Sequence, residues 1–486
     1  MKNYINKLAM AIRRSAVAAA ILAGVLGADA LDVKVDAPGT LSRAVGDLTS
    51  ETTLKIVGAV DAADLYFIGK EMTALTDLDM SQAVIAEYSG RPVEGRTIYK
   101  AGEIPPAAFA GLSLTRFVFP TVTPVTIGDG AFAGTKLTNI TLPANVTSIG
   151  AGAFAGCYNL VSIHLGNLKE LSPSAFSDCV MLKEIGGSAA VEVIGDGALK
   201  GCTALTEFDF GRNLTEIGEE AFSRTGLSAA DMGGCKILRR LGSGAFADCQ
   251  SLESVRLPWV LEETGEGTFI GDKLLESILI PAGVAEIGGG MLAATGLKEG
   301  GLGLSEGIEK IGDYSLAAVG NLTEIILPET LEEIGDGAMQ SMTGLKEIRA
   351  VYPPAPARLG ENVWSGVDQS GVTLLTDESL VSAYSSLEQW KEFEIKGTSG
   401  VGDIESDRPR TGDIAVTLDG GTMTVKSNDS AISSVRVHDI AGRLIVSVTP
   451  NAAEVTLGVG ETGEPVMIVI VELEDGTTAA QKISRT

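Results

Sequence analysis

A solenoid of short stacked coils, followed by a small all-β domain, is the fold class this sequence predicts. Three observations predict it. One motif returns every 22 to 24 residues through the middle of the chain. Gly accounts for 60 of 486 residues while aromatic residues make up only 5%. That balance favours many tight turns and thin regular layers over one thick core. Past residue 412 the period vanishes, and short alternating runs divided by Gly-containing turns take its place.

The first 30 residues read as an export signal. Lys2, Lys7, Arg13 and Arg14 precede an apolar stretch over 16–26, and Ala28-Asp29-Ala30 fits the small-x-small cleavage pattern. The mature chain then starts at Leu31. The apolar stretch is too short to span a bilayer, and no other stretch is long and apolar enough to do so. The expected mature protein is exported, and either secreted or held at the outer surface of the cell. The full chain has 37 Lys+Arg against 63 Asp+Glu, a formal charge of −26. Without residues 1–30 the count is 33 against 62, or −29. Such a charge argues against a nucleic-acid partner, which needs a basic face, and against docking on anionic lipid. With 2 His in the chain, sites built from several imidazoles are excluded.

Residues 104–350 carry the repeat. Ile127-Gly-Asp-Gly-Ala-Phe132 returns as Ile149-Gly-Ala-Gly-Ala-Phe154, and eleven such units start at 104, 127, 149, 171, 194, 217, 241, 264, 287, 311 and 334. Each unit has a second half, such as Leu252-x-x-Val255-x-Leu257-Pro258 or Leu322-x-x-Ile325-x-Leu327-Pro328. This L-x-x-I-x-L run is the short strand of a leucine-rich repeat. Its alternation buries one face and exposes the other. Pro ends the strand because it donates no ladder hydrogen bond. The I-G-x-x-A-F half turns the chain back, with a turn or short helical segment per unit. One unit cannot bury its own apolar face, so stability is a nearest-neighbour sum.

The full row, I-G-x-x-A-F-x-x-C-x-x-L-x-x-I-x-L-P, resembles the BspA-like leucine-rich repeats found in surface proteins of Gram-negative gut and oral bacteria. Upstream, residues 31–103 resemble the N-terminal cap of such proteins, with a divergent first repeat in Leu75-Thr-Asp-Leu78-Asp-Met80-Ser81. Downstream, 351–396 resembles their C-terminal cap: a closing strand over 372–376, then a short helix with Leu380, Tyr384, Trp390 and Phe393. Residues 397–412 read as a Gly-, Ser- and charge-rich linker. Strand-like runs over 414–418, 422–426, 435–438, 444–448, 454–457 and 466–473 make 413–486 a small β-sandwich. Within it, Val435-Arg-Val-His438-Asp-Ile-Ala-Gly442-Arg resembles the C-terminal sorting domains of type IX secretion, with His438 where an aromatic is usual. The resemblance implies sorting or attachment.

Chemistry is sought and mostly not found. Gly458-Val-Gly460-Glu-Thr-Gly463 fits a dinucleotide fingerprint, but Pro465 and a β-rich run follow where a helix must open. It reads as a Gly-rich turn. No P-loop, nucleophile elbow or zinc-protease motif occurs, and no cofactor or metal is expected. Cys157, Cys179, Cys202 and Cys249 share one repeat position, taken elsewhere by Thr135, Thr225 and Thr295. They read as small buried residues of the rung, in preference to a disulfide or metal ladder. Cys235 lies off that position and is the candidate reactive thiol.

The outward strand positions give the candidate binding face: Arg116, Asn139, Thr141, Ser162, His164, Glu184, Glu207, Asp209, Asp231, Arg256, Glu324 and Arg349. Glu184, Glu207, Asp209 and Asp231 are expected on successive rungs as an acidic stripe. A flat open face does not desolvate a carboxylate enough for glycosidase chemistry, so the stripe is a cation or cationic-partner patch, or a solvated face. The expected protein is no enzyme. Curved strand faces are the usual binding surface of solenoids, and the resemblance implies adhesion to a host matrix protein, mucin, glycan or another cell by a monomer. The alternative is a structural surface-layer protein that self-assembles.

Overall fold

The computed structural model describes residues 31–350, 354–398 and, between 414 and 484, the strands with a few flanking residues. The expected export signal, the body of the linker and residues 460–465 of the Gly-rich turn lie outside the described residues. The chain divides into two compact units, residues 1–206 and 207–486.

The first unit opens with a parallel sheet in the order Leu31–Val35, Thr53–Val60, Asp77–Ile85, Arg116–Val118. Leu54, Ile56, Val60, Leu78 and Met80 point inward and are fully buried, as the period of two requires. The helix Ala62–Glu71 follows the second strand. Asp61 caps it, accepting the Ala63 and Asp64 backbone N–H groups. Asp64 reaches further: its carboxylate accepts N–H groups from Gly39 at 2.7 Å and Leu41 at 2.9 Å. The capping box thereby fastens the preceding loop onto the helix.

Two strand rows then run through the coils. Asn139–Thr141, Ser162–His164 and Glu184–Gly186 pair in parallel register, with Ile140 and Ile163 buried between exposed or half-buried neighbours. A lateral row holds Glu103–Ile104, Val125–Ile127 and Val146–Ile149, and beyond them Glu170–Leu171 pairs with Val193–Ile194. Between the rows, the A-F segments bond coil to coil: Phe132 N–H to Ala153 O and Phe154 N–H to Ala175 O, both 2.8 Å. The rings of Phe132, Phe154 and Phe176 stack nearly parallel, with centroids 5.2 and 5.4 Å apart.

The second unit repeats this plan. Phe222, Phe246 and Phe269 form its stack at 5.2 and 5.4 Å. Ala229–Asp231 pairs with Ser254–Arg256, Ile278–Ile280 with Leu302–Leu304, and Glu324–Ile326 opens a parallel sheet continued by Glu347–Ala350, Thr373–Asp377 and Glu394–Thr398. The sequence reading ends the row at 372–376. The chain instead adds one more parallel strand, which takes Gly397 and Thr398 opposite Thr376 and Asp377. Trp364, Tyr384, Trp390 and Phe393 pack edge to face beside it, and the Trp390 indole donates to the Ala357 carbonyl at 3.1 Å. Such a cluster shields the last rung from water, which a terminal repeat requires.

Left-handed backbone punctuates every coil. The residue just before the ladder position has φ of 57° to 79° at Gly111, Gly134, Gly156, Asp178, Gly201 and Gly271, and Ala294 adopts 56° in the same place. A Cβ there costs roughly 1–2 kcal/mol, partly offset by glycine's greater freedom when unfolded. Ala294→Gly is therefore expected to stabilise the protein by about 0.5–1 kcal/mol, read as a higher melting temperature; an unchanged or lower one refutes the strain argument.

Beyond residue 413, each of the six strand runs read from the sequence coincides with a strand. A seventh, Thr478–Ser484, escaped that reading. They form antiparallel sheets of three and four strands. Met423, Val425, Val435, Val437 and Val469 meet in one apolar cluster. No helix among the described residues is long and apolar enough to cross a membrane.

Candidate binding faces

The strand alternation that buries the Ile and Leu positions turns the residues beside them outward. In the first unit this aligns Asp77 with Arg116, and Asn139 with Ser162 and Glu184; a second column aligns Thr141 with His164 and Gly186. Arg116 is held by Asp77, with one guanidinium nitrogen 3.0 and 3.1 Å from the two carboxylate oxygens. Ser162 donates to the Asn139 amide oxygen at 2.7 Å. Arg116, Asn139 and Thr141 line a shallow groove of about 420 Å³ together with Thr115, Phe119 and Thr138. His164 is exposed, and its Nδ1 accepts the Gly166 N–H at 3.1 Å, which fixes the ring on the surface. Glu184 is exposed at the end of this row.

The second unit arranges its outward residues differently. Glu207 and Asp209 are exposed but lie on no assigned strand, which corrects their expected place within a strand row. Phe208 and Phe210 stand where other coils have Ile and Leu. Their rings pack against Phe222 at 5.0 and 5.3 Å. Asp231 and Arg256 face each other in register at 3.7 Å, a loose exposed pair worth little. Farther along, Leu279 and Ile326 stand outward and are 39% and 52% exposed. Glu324 and Arg349, expected on the open face, are half-buried in a cluster with Glu347. The Arg349 Nε lies 2.6 Å from the Glu347 carboxylate and also pairs with Glu324. Burial raises the Glu324 carboxyl above its usual range, against the pull of Arg349.

The lateral row is self-neutralising. Arg240 pairs with Glu263 at 2.8 Å, Lys310 with Glu286 at 3.0 Å and Glu333 at 3.6 Å, and Arg358 with Glu333 at 3.1 Å. Each of these acids has a basic partner on a neighbouring coil, so this face offers no large field of one sign. By contrast Glu207 and Asp209 have no ion-pair partner among the described residues. Glu184 has none either. Sequence reasoning found the acids. It passed over Leu279, although the same alternation places that apolar residue outward.

The cysteines belong to the interior. All five are free and buried. The thiols of Cys157, Cys179, Cys202 and Cys249 each donate to the Phe carbonyl one coil earlier, at 3.2 Å. Burial pushes Cys202 and Cys249 up to about 12, so they remain neutral donors. Cys235, the expected reactive thiol, is buried too, with its sulfur 3.5 Å from the Gly211 carbonyl, and burial pushes it up to about 11. It is a packing residue: a shielded thiol with so high a value yields almost no thiolate at neutral pH. Among the described residues no three His, Cys, Asp or Glu side chains gather as a metal site.

A family profile described as a BspA type leucine rich repeat region matches residues 102–228 and 239–367 in six copies, and a domain of unknown function (DUF8694) matches 404–485. A leucine-rich repeat protein from Bacteroides ovatus is similar in structure, with a TM-score of 0.56 and 21% identity over 76% of this chain and 84% of that one. A leucine rich cell surface protein from Faecalibacterium prausnitzii aligns at a TM-score of 0.30 and 18% identity, covering 66% of this chain and 88% of its own. No curated protein matches the chain.

Proposed function

Because this chain belongs to the family of BspA-type leucine-rich-repeat proteins, we propose that it is an exported, non-enzymatic binding protein. Its outward strand residues meet a host matrix protein, a mucin or glycan, or another cell. The signal-like residues 1–30 support export, and the segment 413–486 serves sorting or attachment at the cell surface. The observation that carries the reading is the contrast between faces. The lateral charges of the second unit are consumed by one another, whereas Glu207 and Asp209 stand exposed without a counter-ion, beside the loose Asp231–Arg256 pair. Exposed Leu279 and Ile326 add apolar contact area on the strand positions of that unit. Mixed charged and apolar surface of this kind suits a protein partner carrying basic residues.

The test is binding of the mature chain, residues 31–486, to an array of matrix proteins, mucins and glycans at near-physiological salt. A specific hit is expected. The triple variant Glu207→Lys, Asp209→Lys, Asp231→Lys is expected to weaken it at least about tenfold, the loss of roughly 1.4 kcal/mol. Full retention of binding by the variant places the contact elsewhere. A blank array, with light scattering that reports self-association, replaces adhesion by structural self-assembly.

A further inference from the structure

One place in the ladder of small buried residues holds a carboxyl group. In the second unit Thr225, Cys249, Asp272 and Thr295 follow one another at 23 or 24 residues. Asp272 has no exposed surface at all. At its neighbours the ladder residue's own N–H closes a turn on the carbonyl three residues back: Thr225 on Phe222 at 3.1 Å and Thr295 on Leu292 at 3.3 Å. Cys249 breaks this rule. Its N–H turns instead to the Asp272 Oδ1 at 2.8 Å.

The diversion leaves two oxygens wanting. No N–H or O–H group among the described residues donates to the Phe246 carbonyl, the one Cys249 would otherwise serve. The Asp272 Oδ2 is buried and has no partner either. An ionised carboxylate is acceptor-only and would leave both oxygens unsatisfied. A neutral carboxylic acid offers one acceptor and one donor, matching the N–H and C=O groups of the turn it interrupts.

We propose that Asp272 is held as the neutral acid and inserted into the turn at Cys249, accepting that residue's N–H through Oδ1 and donating its own proton to the Phe246 carbonyl. It thus does in this coil what the thiols do elsewhere, and it makes this coil the point where rising pH loosens the stack. The surroundings agree. Burial pushes the carboxyl up to about 9, the exposed Asp248 carboxylate adds like charge from the preceding coil, and the Cys249 thiol beside it is itself raised. Among the described residues no cation lowers it. The unfolded chain releases this proton near the ordinary value of 3.8, the folded chain near 9. Between those limits the folded state binds one more proton, so stability falls as pH rises and levels off above about 9.

The mature native protein and Asp272→Asn, whose amide keeps one donor and one acceptor, are compared in two ways. Infrared difference spectra at neutral pH are expected to show a protonated-carboxyl band in the native protein that the variant lacks and that disappears above pH about 9. Melting temperatures taken from mildly acidic pH upward are expected to fall in the native protein relative to the variant. Absence of the band at neutral pH, or parallel melting profiles, overturns the proposal. Should Asp272→Asn fail to fold, Asp272→Thr introduces the residue of the following coil, Thr295, and serves as the same control.

Discussion

Gly265→Ala is expected to lower stability by about 3 kcal/mol. Gly265 follows Thr264 of the lateral row, in the place of the first Gly of the repeat motif. A Cβ built there would lie 2.3 Å from the Ser243 nitrogen and 2.6 Å from the Gly242 carbonyl carbon. Both atoms are backbone of the coil before, so no side chain can swing aside. Gly242 and Gly312 stand in the same relation to their preceding coils, at 2.4 and 2.5 Å. Relief requires the coils to part, which breaks the short bonds on either side, Gly265 N–H to Leu241 O at 2.8 Å among them. Gly234 makes the control, since no atom lies within 4 Å of its added Cβ; Gly234→Ala is expected to change stability by less than about 0.5 kcal/mol. Denaturant unfolding of both variants decides. Equal behaviour would remove close coil approach as the reason for the repeating glycine.

Phe246→Ala is expected to cost about 3–5 kcal/mol. Its ring is fully buried between Phe222 and Phe269, with interplanar angles of 1° and 13°. Truncation opens a void in contact with two other coils, and neither can collapse into it without breaking its own register. Phe246→Leu is expected to cost far less, about 1.5 kcal/mol or under, because Leu199, Leu292 and Leu316 fill the equivalent place in other coils. Similar losses for the two variants would show that ring stacking, beyond volume, holds the column.

Most of the coil architecture was legible because the repeat states the same physical demand many times over. Ile, Ala and Phe mark the interior, Gly the close approach, and the outward positions follow by alternation. The exceptions are single-coil events that periodicity averages away. Phe208 and Phe210 keep the apolar alternation of the repeat, yet no strand is assigned around Glu207 and Asp209. Cys235 was set apart by its offset, but offset along the chain is not exposure. Asp272 occupies a ladder position where only the three-dimensional register reveals that a carboxyl has replaced a thiol. Glu324 and Arg349 were placed correctly on their strands, while the ion cluster that half-buries them depends on long side chains bending back, which spacing does not encode.

The thiol-to-carbonyl bonds and the A-F backbone bonds join fixed repeat positions of neighbouring coils, Cys to Phe and Phe to Ala. Within each unit this gives the molecule a frame with a unit of account in space, one whole coil. Excision or duplication of a complete coil leaves every remaining donor opposite an acceptor of the same kind. A single residue gained or lost inside the A-F segment puts a Phe where a Gly must pass, and the error is renewed at both neighbouring coils. Change in such a chain therefore proceeds by entire modules or by outward side chains, and the length of the protein is free to vary while the spelling of its turns is not.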